Sequence, residues 1–441
     1  MPGTAPTGAP APGRRIAVVG GGMAAARFAE RYTALGGPGT VTVYAAEART
    51  PYNRVLLADV LTGRYDAEAI ALPLGTARLR TGCEAVAVDP VARALGLADG
   101  TVEPWDELVL ATGANPVLPP IRGLRPADGG HDADGRHPGD RPAYGPGLAE
   151  GVHTLRSLDD CARLAEEAVA ARRAVVIGGG VLGVSAARAL AALGVRTEIV
   201  HQAPHLVERQ LDAEAGAVLR ERLDALGVAT YCRNRARALA TAVDADTGAV
   251  RVTGVHLANG YLLDCDLVVL ACGTRPRTAL AHAAGLAVNT GVLVDDRLAT
   301  GAPHVFAIGD CAEHRGAVQG LAIPAWDQAD VLALRLSGAD PDARYTGSRP
   351  PARLSTGGLE YAAFGDVDET LGEGLDVLRL TDATRGSYKK LVMRGDRLVG
   401  AILLGDLAGL DALADAWDRD DALTGHPLHL LTAAGPGAVR P

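Results

Sequence analysis

Aromatic side chains are scarce in this 441-residue chain, at 4%, and lysine is scarcer still: among 43 basic residues only Lys389 and Lys390 are not arginine. With alanine and glycine abundant, that bias reads as GC-rich codon usage and carries no functional weight. The six cysteines (Cys83, Cys161, Cys232, Cys265, Cys272, Cys311) form no C-x-x-C pair and no cluster with metal-ligand spacing. A disulfide scaffold, a redox-active dithiol and an internal iron–sulfur site are thereby disfavoured, and no metal is expected. No apolar run reaches bilayer-spanning length, and 1–13 lacks the apolar centre of a signal peptide. A cytoplasmic protein with a frayed N-terminal tail is the expectation. Positive charge is lacking overall, and a net charge of −9 argues against general affinity for nucleic acid or an anionic membrane.

What is present is a globular balance of 48% hydrophobic and 22% charged residues, in a chain long enough for about three domains at roughly 150 residues each. One pattern occurs twice. Arg15-Ile16-Ala17-Val18-Val19 runs into Gly20-Gly21-Gly22, and Ala174-Val175-Val176-Ile177 runs into Gly178-Gly179-Gly180. Each apolar run suits a buried parallel strand, and each is followed by an Ala-rich helical stretch and a second β-branched run, Val41–Tyr44 and Thr197–Val200. Two βαβ units are expected. Between them, 125–151 is dense in Gly-Gly, Asp-Gly and Pro-Gly steps and reads as a flexible loop. Asp264–Leu270 and Val305–Ile308 read as strands, Trp326–Leu336 as a helix with Pro324 just ahead of it, and Leu391–Met393 with Leu398–Leu404 as a hairpin around Arg394-Gly395-Asp396.

Gly20-x-Gly22-x-x-Ala25 fits a dinucleotide-binding turn. The first glycine makes the tight turn, the second admits a pyrophosphate against the backbone, and the third small residue lets helix and strand pack. The helix start at Met23 and Ala24 would then offer N–H donors and a positive dipole end to the phosphates. Glu47, 27 positions past Gly20, falls where a carboxylate can accept from adenosine ribose hydroxyls, or is an ordinary surface glutamate. Gly178-x-Gly180-x-x-Gly183 is the second such turn, with Val181 and Leu182 at its helix start. Here the position 23 residues on is His201, not an acid. An acid there would favour NADH and repel the 2′-phosphate of NADPH; histidine does neither strongly, so it is a cofactor contact or a partly exposed strand-end residue. Arg209 is a phosphate candidate by proximity.

Trp105–Ala114 and Thr300–Ala312 resemble the second and third FAD-contact motifs of the pyridine nucleotide-disulfide reductase superfamily. That resemblance implies FAD contacts at Ala85, Ala111, Thr112, Gly113 and Gly309, a ribityl bond at Asp310, and an NAD(P) contact at Gly273. Pro51–Leu57, His201 with Glu208–Asp212, Cys311–Gly316 and Tyr388–Leu391 further resemble the flavoprotein portion of NAD(P)H-dependent assimilatory nitrite reductase large subunits and the electron-transfer subunit of assimilatory nitrate reductase. The likeness runs from about Arg15 to Leu431. It places Arg54 near the flavin or its pyrophosphate, and Trp326 and Ser185 beside the isoalloxazine, Trp326 being a core aromatic otherwise. Complete nitrite reductases continue into iron–sulfur and siroheme domains; here Ala408–Leu431 reads as the linker before them, so nitrite reduction by this chain alone is not expected. Relatives carry a glutamate where Ser185 stands, and some a lysine near Asp59, and neither is present.

The expected fold is therefore α/β: an FAD-binding Rossmann-like domain (14–124 and 281–340) split by an inserted NAD(P)-binding domain (152–280), followed by a small C-terminal α+β interface domain (345–441). The expected activity is electron transfer from NADH or NADPH through FAD to a separate redox protein, a nitrate or nitrite reductase component or an iron–sulfur protein. The alternatives are a ferredoxin or rubredoxin reductase, an NAD(P)H oxidase, or a slow redox-sensing nucleotide binder. Homodimer formation stays open.

Overall fold

The computed structural model describes residues 13–125, 147–245, 248–349, 352–368, 374–423 and 431. The expected N-terminal tail up to residue 12 and the bulk of the expected 125–151 loop lie outside the described residues. Strand β1 (Arg15–Val19) forms where Ile16, Ala17, Val18 and Val19 are all buried, and it runs into helix α1 (Met23–Ala34) and then strand β2 (Thr40–Tyr44). β1 pairs in parallel with β2 on one side and with Glu107–Leu110 on the other, inside a five-stranded sheet completed by Val305–Ala307 and Arg78–Arg80.

The second unit repeats this plan. Strand β3 (Arg173–Ile177), helix α2 (Val181–Ala192) and strand β4 (Arg196–Val200) centre a second five-stranded parallel sheet, with Leu267–Leu270 on the other side of β3 and Val228–Tyr231 and Val152–Thr154 at its edges. Helix α3 (Ala213–Ala225) links β4 to Val228–Tyr231. Near-continuous apolar strands buried on both faces are what an all-parallel sheet requires. A short antiparallel pair, Ala114–Pro116 with Thr274–Pro276, crosses between the two sheets.

Three expected elements differ. Asp264–Leu270 is two strands, Leu262–Asp264 and Leu267–Leu270, because the Asp266 carboxylate turns aside to accept from the backbone N–H groups of Arg172 and Arg173. Helix α4 (Ala322–Ser337) starts ahead of Pro324, which sits in the first turn, where a missing N–H leaves no intrahelical bond unmade. The expected linker after Ala408 holds helix α5 (Leu410–Arg419).

The C-terminal sheet is five-stranded and antiparallel, with β5 (Ser387–Arg394) and β6 (Arg397–Leu404) forming the expected hairpin over Gly395 and Asp396, Gly395 taking φ 63°. One face packs Tyr361, Tyr388 and Ile402 against Leu206, Leu211 and Leu219 of the second unit. The other packs Phe364, Leu391 and Leu403 against Leu410 and Leu413 of α5, with the Trp417 ring 5.3 Å from Phe364. Among the described residues no helix is long and apolar enough to cross a membrane.

Leu413 is wholly buried in that α5 contact, so Leu413→Ala is expected to destabilise the protein by about 2–4 kcal/mol in urea denaturation followed by tryptophan fluorescence. A second expectation concerns the edge of β1. The Arg15 guanidinium and backbone N–H hold the Asp106 carboxyl down at about 2. A carboxyl whose folded value is depressed contributes stability above its unfolded value and loses it as pH falls through the folded one, so the window here runs from about pH 4 down to about pH 2. Asp106→Asn should flatten the stability curve across that window and leave its shape above pH 5 unchanged. The effect is small and salt-screened, because the Asp106 side chain is 35% exposed.

Candidate functional site

The two glycine turns have nearly the same geometry. Gly20 has φ 117° and Gly178 φ 116°, and a Cβ on either would lie 2.2 Å from a backbone oxygen, that of Ala111 or of Ala271. Only glycine meets both demands, the positive φ and the close approach. Gly22 and Gly180 are the N-caps of α1 and α2; neither helix has a side-chain cap or an acidic residue in its first turn, and a Cβ at either glycine would meet nothing within 4 Å. Each helix thus presents uncapped N–H groups to open space, at Met23 and Ala24 in one case and at Val181 and Leu182 in the other. The third small positions do packing work. Ala25 is wholly buried, and a Cβ on Gly183 would lie 1.9 Å from Gly178 O.

Around the first turn, Ala111, Thr112 and Gly113 follow the strand Glu107–Leu110, with Gly113 at φ 73° and the Thr112 hydroxyl donating to Arg277 O at 2.8 Å. Ala85 begins a separate small sheet just past Gly82 and Cys83, whose N–H groups bond Glu47 O and Ala45 O. Gly309 takes φ 74° and donates its N–H to Gln328 of α4 at 2.7 Å, which pins the Gly309-Asp310 turn to that helix. Trp326, one turn into α4, is half-buried and outside the core clusters, so it is not the core aromatic of the alternative reading.

Glu47 is no free surface glutamate. Tyr52 donates its hydroxyl to one carboxylate oxygen at 2.7 Å, and the Arg54 guanidinium bonds the other. A carboxylate has roughly four acceptor sites, so hydroxyls can still be taken up. Arg54 stacks 4.8 Å over the Tyr52 ring and also donates to Arg156 O, while the Arg156 guanidinium pairs with Asp310. One polar chain therefore runs Glu47–Arg54–Arg156–Asp310, from just past β2 to the Gly-Asp turn. Sequence reasoning missed Arg156. The signal was an arginine between the strand Val152–Thr154 and Ser157, whose capping box with Asp160 opens the next helix.

Around the second turn, His201 is buried, not strand-end exposed. Its Nδ1 accepts from Gly179 N at 3.1 Å and its Nε2 lies 2.9 Å from Glu208. The hydrogen-bond pattern assigns the ring proton to Nε2. Arg209 is exposed on the adjoining segment, and Gly273 takes φ 97° beyond Leu267–Leu270. A cavity of about 520 Å³ lies nearby among His205, Arg220, Tyr231, Cys232 and Arg233, but no turn residue lines it. Ser185 is buried and donates to Val181 O of its own helix. The lysine–glutamate pair absent at this contact is replaced by one of opposite sense: Asp59 from the helix Leu57–Leu61 meets Arg188 of α2 at 3.4 Å, both nearly sealed from solvent. Burial pushes the Arg188 guanidinium below its ordinary value.

Burial pushes the Cys161 and Cys272 thiols up to about 11 and Cys265 to about 12, and raises Cys311 as well, so none of these four is a thiolate near neutral pH. All six cysteines are free. Among the described residues no group of three or more His, Cys, Asp or Glu side chains is placed to hold a metal ion.

Two uncapped glycine turns, each at the end of a strand in its own parallel sheet, give the chain two helix N-termini suited to dinucleotide phosphates. The chain belongs to the pyridine nucleotide-disulphide oxidoreductase family, whose model matches residues 14–329, and a model of the rubredoxin NAD+ reductase C-terminal domain matches residues 350–419. It is 34% identical over 400 residues to a nitrite reductase [NAD(P)H] of Bacillus subtilis (strain 168), covering 89% of this chain and 46% of that protein. It is 30% identical to the assimilatory nitrate reductase electron transfer subunit of the same organism, covering 91% and 49%. The chain thus spans about half the length of these relatives. A ferredoxin reductase structure from Rhodopseudomonas palustris superposes with a TM-score of 0.77 at 26% identity, covering 93% of this chain and 96% of that one.

Proposed function

We propose that this chain takes electrons from NADH or NADPH and passes them through FAD to a separate redox protein, a nitrate or nitrite reductase component or an iron–sulfur protein. The observation that carries this reading is the duplicated turn, with open space beside both N-cap glycines, Gly22 and Gly180. The first turn takes the FAD pyrophosphate on the N–H groups at Gly22, Met23 and Ala24, with Glu47 on the adenosine ribose, Asp310 on the ribityl chain and Arg54 and Trp326 flanking the rings. The second takes NAD(P)H on Gly180, Val181 and Leu182, with Arg209 beside the adenosine ribose. Bound FAD supplies two-electron acceptance from a nicotinamide and one-electron release to a partner. The protein's part is to stack the two ring systems and exclude water, and no general acid is required. The α4 N-terminus at Ala322 carries no acid in its first turn, so its positive end can favour negative charge on the ring. The Cys161, Cys265, Cys272 and Cys311 thiols are held protonated near neutral pH, so they offer the electrons no thiolate acceptor within these residues.

The test is anaerobic. Purified protein should be yellow and should bleach within seconds of adding NADH or NADPH, whereas a yellow protein that stays coloured would remove the reductase reading. Slow recolouring in air, followed by fast oxidation on adding a ferredoxin or rubredoxin, is expected of an electron-transfer component; fast recolouring in air alone would mark an oxidase. The two turns should separate under substitution. A Cβ at Gly20 or Gly178 costs on the order of 1–3 kcal/mol in backbone strain before the clash with Ala111 O or Ala271 O is counted. Gly20→Ala should purify largely colourless, while Gly178→Ala should keep its flavin and need at least about tenfold more NAD(P)H to bleach at the same rate.

A further inference from the structure

Both backbone polar groups of Gly179, the middle residue of the second turn, are held by residues that follow β4. Its N–H donates to His201 Nδ1 at 3.1 Å, and its carbonyl accepts from Val207 N at 2.9 Å. A Cβ on Gly179 would meet Leu206 at 2.5 Å and His201 at 2.7 Å, so this segment lies hard against the turn. Val207 is in the left-handed region at φ 53° and is 1% exposed, an uncommon state for a β-branched residue that persists only when its surroundings impose it. Its carbonyl accepts from Gln210 N and Leu211 N, which closes a tight bend ending at Asp212.

Asp212 has two tasks. One carboxylate oxygen caps α3 by accepting from Ala215 N at 2.9 Å; the other accepts from Tyr388 Oη at 2.9 Å and from Lys390 Nζ at 3.0 Å. Tyr388 and Lys390 belong to β5 of the C-terminal sheet and are 0% and 2% exposed. Lys390 also donates to Val367 O at 2.9 Å. Arg222 of α3 reinforces the contact, donating to the backbone carbonyls of Gly358, Arg385 and Gly386.

We propose that Asp212, clamped by Tyr388 and Lys390, is a positioning residue for NAD(P)H binding: the C-terminal domain holds the strained Val207–Leu211 bend, and the bend holds the Gly178–Gly180 turn. The proposal rests on the reading of that turn as the nicotinamide-dinucleotide site. Lys390 is sealed from solvent and Asp212 is partly exposed, so losing either partner removes the tie and lets the bend relax toward an unstrained φ, carrying the turn with it. The neighbouring lysine is a built-in control. Successive strand residues point to opposite faces, and Lys389 turns away from α3 to bond Asp406, Ala408 O and Leu431 O.

The experiment measures NAD+ and ADP-ribose binding to the oxidised, flavin-loaded protein by calorimetry, together with thermal melting and anaerobic bleaching. Lys390→Met is expected to weaken binding about tenfold, with flavin content unchanged and the rate at saturating NAD(P)H within about twofold. Asp212→Asn keeps the helix cap but turns an amide NH2 toward the sealed Lys390 ammonium, leaving that charge uncompensated, and is expected to weaken binding by at least about tenfold; it serves where Lys390→Met does not accumulate. Lys389→Met should lower the melting temperature and leave binding within about twofold. Unchanged binding in Lys390→Met or Asp212→Asn, or equal weakening in Lys389→Met, overturns the proposal. Unmodified protein that binds NAD+ yet is not bleached by NADH or NADPH would remove the reductase reading alone; one that binds neither NAD+ nor NADP+ would remove both.

Discussion

In each parallel sheet of the nucleotide-binding units, two neighbouring strands end at the same level and their chains must leave in different directions. Val19 pairs with Leu110 and Ile177 with Leu270, so Gly20 and Gly178 turn beside the carbonyls of Ala111 and Ala271 with no room for a Cβ. The chain that turns there enters a helix whose uncapped end faces the crevice between the diverging strands, the place where open α/β sheets accept ligands. Strand, turn and helix end depend on that one crowded carbonyl, and the molecule meets it twice in nearly identical form.

Much of the fold was legible because it depends on neighbours in sequence. The apolar runs at Ile16–Val19 and Ala174–Ile177 could only be buried strands, the glycines after them fixed the turns, and Gly395 at φ 63° closed the β5–β6 hairpin where a turn was expected. Misread elements depend on partners elsewhere. Asp266 breaks a strand because two distant N–H groups claim its carboxylate, and α5 forms where a linker was expected because Leu410 and Leu413 find a sheet face to cover.

The candidate site divides the same way. Its backbone parts Gly20, Gly22, Gly178 and Gly180 announce themselves by residue type and spacing, and Ala111–Gly113 and Gly273 by the family resemblance. The side chains that tie the parts together do not. Arg156 meets Asp310 across 154 positions of chain and Arg188 meets Asp59 across 129, and no periodicity connects either pair. Glu47 and His201 were picked out by spacing, but each is engaged with protein groups in a way that spacing cannot show: Glu47 with Tyr52 and Arg54, His201 with Gly179 and Glu208. An acid at the end of β4 would read directly as a ribose ligand. The histidine there instead accepts from the turn's Gly179 N–H and pairs with the Glu208 carboxylate.

Lysine shows how composition misleads. In a chain so rich in arginine, two adjacent lysines look like an accident of codon usage, yet both are 2% exposed. An ammonium is a compact charge with three donors, whereas a guanidinium is a broad planar fork, and the two are not interchangeable in a tight space. Lys389 bonds the Asp406 carboxylate and two carbonyls, and Lys390 has the Asp212 carboxylate and the Val367 carbonyl among its partners, on opposite faces of one strand, so that β5 is pinned to α3 on one side and to the segment leading into α5 on the other. Two of the sequence segments that carry the family likeness, Glu208–Asp212 and Tyr388–Leu391, meet each other at this pin through Asp212. Their meeting marks a joint between the C-terminal sheet and the second parallel sheet, and it is through that joint, not through the glycines alone, that the C-terminal sheet is connected to the Gly178–Gly180 turn.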